Sequence, residues 1–176
     1  MTQPATAHDA FVLRHGTVWG LVIGSVWMIQ MVFENIVIPR RIGGPVGLLL
    51  GIVALLLPFV AGAASAIKTQ NILTGLRVGF WSGTISGLIA FAVLAAIGYL
   101  IVFMPWLPGA EIPKTDRAYT AAEFEELNVT DAMGGALTHL LILGAILCSL
   151  AGVVGGAVGI MFDRTGGPRE SPSHPA

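Results

Sequence analysis

A carboxylate in an apolar run is the most chemically capable feature of this chain. Glu34 lies in Gln30-Met31-Val32-Phe33-Glu34-Asn35-Ile36-Val37-Ile38, just ahead of Pro39 and the cations Arg40 and Arg41. A charge in a spanning helix costs roughly 2.5 to 3.5 kcal/mol at the helix centre and less near an end. Such a group reaches water or pairs with an arginine for structure, handles protons or cations with its pKa raised by burial, or touches a partner. His139, between Thr138 and Leu140, is the second titratable group set among apolar residues. Its ordinary role is an interfacial hydrogen bond; its functional role would be that of a ligand. Glu34, Asn35, Arg40, Arg41 and His139 form the candidate polar cluster.

The elements that must hold these groups follow from composition. The 176 residues are 55% hydrophobic and 11% charged, against roughly 25% charged in a soluble domain. Too little polar surface is left to face water alone, so part of the solvent must be lipid. A net charge of -1 argues against a nucleic-acid partner, which needs a basic patch. A spanning helix takes about 20 mostly apolar residues, and four stretches qualify: about 16–38, 45–67 (with Pro58 as a kink), 78–104 and 135–162. The expected fold is an all-α, four-helix transmembrane bundle over 16–162. A cytoplasmic segment 1–15 precedes it and a Pro/Gly/Ser-rich disordered tail, 163–176, follows. The first span is too long for a signal-peptide core and is retained.

The links differ in kind. Residues 39–44 read as a tight hairpin and 68–75 as a short polar turn. Residues 105–134 form a long acidic extramembrane link, in which Thr120-Ala121-Ala122-Glu123 is a capping-box pattern that starts a short helix through Leu127. Asn128-Val129-Thr130 matches a glycosylation tripeptide, which is too common to carry a reading. Arg14, Lys68, Arg77, Arg164 and Arg169 face Arg40, Arg41, Lys114 and Arg117 across the membrane. That bias places both termini in the cytoplasm, in a bacterial inner (plasma) membrane.

Parity sets the first and third links on one side, with Glu34 about 6 Å below that end of its helix and His139 at similar depth. Glu34 follows Gly16 by five full turns at about 3.6 residues each. It therefore falls on the helix face that Gly16, Gly20 and Gly24 mark out, toward protein. The expectation is that Glu34, His139 and Arg40 or Arg41 meet at one mouth of the bundle.

That glycine face has an echo. Leu13-Arg14-His15-Gly16 and Leu76-Arg77-Val78-Gly79 each open a series of glycines four apart: Gly16, Gly20, Gly24 and Gly79, Gly83, Gly87. In lipid no hydrophobic force joins helices, and small residues every four positions let backbones approach. Gly152, Gly156 and Gly159 do the same in the fourth span. All lie at the level of the N-terminal side, so a small-xxx-small (glycine zipper) bundle should be narrow there and wider at the polar mouth. The echo also suggests a duplicated hairpin, against convergent use of the same packing.

No metal, nucleotide or redox motif occurs, and neither a cofactor nor a catalytic residue is expected. Ser65-Ala66-Ile67-Lys68 fits S-x-x-K only in letters, and Ser82 and His139 belong at opposite ends of their spans. The single cysteine, Cys148, reads as a small packing residue, and Trp19, Trp27, Trp81 and Trp106 as interfacial or packing residues. Two functions fit. One is a non-enzymatic structural or partner-binding membrane subunit that docks a membrane partner or a second copy through residues 110–130. The other is a small oligomeric transporter or channel with Glu34 as the coupling carboxylate. Small four-helix multidrug exporters also place a glutamate in helix one. This chain departs from them in its length, the glutamate's nearness to the helix end and the acidic link.

Overall fold

The computed structural model describes residues 7–37, 40–112 and 117–165, with the backbone alone for 40–44. Four helical rods are long and apolar enough to cross a membrane. The first is α1 (Ala7–Val32), continued by a π-helical segment (Phe33–Val37). The second and third are α2 (Arg40–Thr69) and α3 (Ile72–Phe103). The fourth joins α4 (Ala121–Leu137), a π-helical segment (Thr138–Leu147) and α5 (Cys148–Thr165) without a break.

The helices run past the boundaries expected from hydropathy. Helix α1 begins at Ala7, within the segment expected to lie ahead of the bundle. Arg40 to Gly44, expected as a hairpin, are already helical in α2. Between α2 and α3 only Gln70 and Asn71 lie outside helix. Gln70 takes a left-handed φ of 52°, and the Asn71 side chain accepts from Leu73 N–H as the cap of α3. So short a turn forces α2 and α3 antiparallel.

The largest correction concerns the acidic link. Thr120 caps α4 and the reciprocal bond to Glu123 is present, as the capping pattern implied. The helix does not stop at Leu127, however, because nothing from Asn128 to Met133 breaks it and Gly134 and Gly135 are tolerated inside it. At about 1.5 Å per residue the 45-residue rod is some 65 Å long, against a hydrocarbon core of about 30 Å. Its first turns must stand outside the membrane. The expected disordered tail lies outside the described residues beyond Thr165.

The rods are joined in two ways. Gly16, Gly20 and Gly24 are buried against side chains of the parallel helix α3. A β-carbon added to Gly16 would sit 2.6 Å from Trp81 Cβ, and one on Gly20 2.7 Å from Ile85 Cβ; Gly24 faces Ile89 in the same way. The glycines of α3 instead meet backbone. Gly79 faces the Cys148 carbonyl, Gly83 the Gly144 carbonyl and Gly87 the backbone of Leu140. On α5, Gly152 meets Gly75 and Gly62, Gly156 meets Ala66, and Gly159 meets Ala63. Spans α2, α3 and α5 thus converge on Gly152. The apolar core proper lies nearer the third link, around Ile23, Trp27, Met31, Ala54, Ala90, Ile97, Ile101 and Phe124.

Candidate functional site: a polar cavity between two π-helical segments

Both π-helical segments carry the polar residues that the sequence singles out: Glu34 and Asn35 in the first, His139 in the second. Side chains in both segments bond back to main chain. The Asn35 amide donates to the Met31 carbonyl (2.8 Å), Thr138 Oγ1 to the Gly134 carbonyl (2.9 Å) and His139 Nδ1 to the Gly135 carbonyl (2.9 Å). Each is the carbonyl four residues back, the acceptor that the backbone N–H of the same residue uses in an α-helix. His15, Ser25 and Thr84 make the same back-bond inside ordinary α-helix, so these bonds accompany the wide turns and do not by themselves produce them. Such wide turns are frequent at functional sites.

The two segments flank a cavity of about 180 Å³ lined by Asn35, Asn128, Asp131 and His139 over an apolar wall that includes Ile97 and Ile101. His139 stands edge-on to the Trp27 ring, with centroids 4.9 Å apart and planes at 87°. Below the cavity α3 and the fourth rod are in backbone contact at Gly87–Leu140 and Gly83–Gly144.

The structure does not gather the expected polar cluster at one point. His139 belongs to the cavity and to Trp27. The Glu34 carboxylate turns to α2 instead, where it lies in the space left by Gly47. One turn earlier Gln30 donates to Glu34 (3.4 Å) and lies beside Gly51. The Gln30 carbonyl oxygen is buried and has no hydrogen-bond partner among the described residues. Arg40 and Arg41 belong by backbone to the first turn of α2, and their side chains lie outside the described residues. Helix one therefore shows its glycine face to α3 and its Gln30–Glu34 pair to α2.

The residue that organises the link carries no signal in the sequence beyond a common tripeptide. Asn128 is 3% exposed. Its side chain accepts from Glu111 N–H (2.7 Å) and donates to the carbonyls of Glu111 and Phe124 (2.9 Å each). It clamps the incoming strand of the link onto α4 and is buried too completely to accept a glycan. A second tie runs from Gly109 N–H to the Asn35 carbonyl (3.0 Å), and Phe124 enters the core beside Ile97, Ile101 and Ala110. At the start of α4, Arg117 pairs with Glu123. That guanidinium and the Thr120 backbone bond hold the Glu123 carboxyl below its ordinary value of 4.5. Glu125 and Glu126 are exposed and enter no ion pair among the described residues. Among those residues no three of His, Cys, Asp and Glu gather into a set that could hold a metal ion. No protein-family model, no curated protein and no solved structure matches this chain.

Proposed function

We propose that this integral membrane protein is a non-enzymatic subunit that recognises a membrane partner through the segment 110–130. The observation that carries the reading is the Asn128 clamp. A connecting loop needs no buried amide with three hydrogen bonds to main chain, whereas a docking platform must hold its shape before the partner arrives. In that segment Glu125 and Glu126 are exposed and enter no ion pair among the described residues, and Ile112 and Tyr119, with Trp106 just ahead of it, expose apolar surface. The partner surface is therefore basic with apolar pockets. We further place the chain in a bacterial inner membrane with both termini cytoplasmic, on the five-to-four excess of Lys and Arg in the segments expected on that side, Arg14, Lys68, Arg77, Arg164 and Arg169 against Arg40, Arg41, Lys114 and Arg117. The test is Glu125→Lys with Glu126→Lys, followed by quantitative cross-linking and co-purification from native membranes. Loss of the cross-linked partner with the bundle intact supports the reading; unchanged partners at unchanged stoichiometry refute it.

A second reading draws on Glu34 and the polar cavity: a small oligomeric transporter coupled through Glu34. The cavity ends above the contacts of α3 with the fourth rod, so this reading needs a second copy or a rearrangement of those spans. Proton-coupled flux through reconstituted protein, abolished by Glu34→Gln, would favour it over the first.

A further inference from the structure

A second cleft, of about 320 Å³, opens at the opposite end of the bundle, between the first turns of α1 and the last turn of α2. It is lined by Arg14, His15, Val18, Trp19 and Lys68, and its size falls within the ≈300–1,000 Å³ range of small-ligand sites. We propose that it binds the phosphate headgroup of an anionic phospholipid from the surrounding leaflet.

Three observations carry this. The first is charge. Arg14 comes from α1 and Lys68 from α2, and neither has a carboxylate within ion-pairing distance among the described residues, where the ion pairs are Arg77–Asp9 and Arg117–Glu123. Two cations in one cleft repel unless an anion lies between them. The second is preorganisation. Lys68 Nζ sits 5.3 Å from the Phe11 ring centroid, and Phe11 stacks on His15 at 3.8 Å. His15 Nδ1 donates to the Phe11 carbonyl (3.0 Å), which leaves Nε2 as the second polar atom of the ring. The third is depth. Lys68 stands in the last turn of α2, so the cations lie at the membrane edge. Val18 and Trp19 lie one turn further in, where an acyl chain would begin; Val18 is exposed.

The second copy of the Leu-Arg motif supplies an internal comparison. Arg77 and Trp81 also border an open groove, of about 600 Å³, but there Asp9 lies 3.5 Å from the Arg77 guanidinium. One groove is neutralised from within and the other is not. Only the second calls for an anion from outside.

The experiment measures phospholipid retention by native mass spectrometry of the full chain in mild detergent, titrated with phosphatidylglycerol or with phosphatidylcholine. The wild type should prefer phosphatidylglycerol. Juxtamembrane cations contribute enough that each of Arg14→Gln and Lys68→Gln should weaken that binding about fivefold, and both together about thirtyfold. Arg77→Gln should leave the preference intact, and Arg14→Lys with Lys68→Arg should keep most of it. If the double variant does not fold, the two single variants carry the same comparison. Equal binding of the two lipids by the wild type overturns the proposal, as does a preference that survives loss of both cations. Inorganic phosphate alone, retained as strongly as the lipid, would overturn it in favour of a free anion.

Discussion

The Glu34 carboxylate occupies the place where a side chain on Gly47 would stand. Two features read separately in the sequence, an acid in helix one and a glycine in helix two, are one contact. The small residue on α2 makes room for the acid on α1; one turn away a β-carbon on Gly51 would meet Gln30 only at an ordinary contact distance of 3.8 Å.

This contact predicts coupling. Alanine at position 47 would meet the far end of a flexible side chain, so Glu34 can swing aside, and Gly47→Ala should lower stability by only about 1 kcal/mol. Removing Glu34 as well should make the alanine harmless. Thermal unfolding in detergent of Gly47→Ala, Glu34→Ala and the double variant should therefore show a non-additive term of roughly 0.5 to 3 kcal/mol. Strictly additive effects would mean that the two residues do not share a space.

The glycines should sort by what surrounds them. A β-carbon at Gly152 would lie 2.5 Å from the Gly75 carbonyl oxygen and 2.9 Å from Gly79 Cα. Both are backbone atoms, so the spans themselves must part, and Gly152→Ala should cost about 1 to 3 kcal/mol or more. Gly134, also helical, has nothing within 4 Å of its added β-carbon, so Gly134→Ala should stabilise by roughly 0.5 to 1 kcal/mol. Melting temperatures that fall alike in both variants would contradict the packing described.

Acid should loosen the start of α4. Arg117 and the capping bond to Thr120 depress the folded-state pKa of Glu123 below 4.5, so the unfolded turn binds a proton more readily than the folded one. The contribution is present above that ordinary value, and is lost as pH falls through it toward the depressed one. Hydrogen exchange at the first-turn amides of α4, after correction for intrinsic rates, should rise over that window. In Glu123→Gln it should not change there; a wild type equally insensitive would remove the pairing from the account.

What the sequence reveals here is what depends on local pattern. Four apolar runs are long enough to span wherever they pack, and Thr120 with Glu123 encodes a helix start by itself. The azimuth of Glu34 was less legible. Counting at 3.6 residues per turn carries the face of Gly16 forward to Glu34, toward protein. It cannot say that the helix leaves α3 and meets α2 on the way, nor that the turn widens at Phe33. Residue type gave no sign of that widening, since His15, Ser25 and Thr84 bond back to a carbonyl four residues earlier just as Asn35, Thr138 and His139 do, yet stay in α-helix. Asn128 was illegible for another reason: its partner Glu111 lies seventeen positions earlier, and no periodicity reports a contact between a loop and a helix. The repeated Leu-Arg-x-Gly motifs also hid a difference. Their glycines serve unlike contacts, side chains for α1 and backbone for α3.

A docking surface in the third link requires that link to be a folded platform. Hydrogen exchange at the Gly109 and Glu111 amides, which donate to the Asn35 carbonyl and the Asn128 side chain, tests that directly. Both should exchange roughly tenfold to a hundredfold slower than unstructured chain, and Asn128→Ala should release Glu111 while the spans keep their protection. Free exchange at both amides in the intact protein would make the link an ordinary loop and contradict the proposed docking surface.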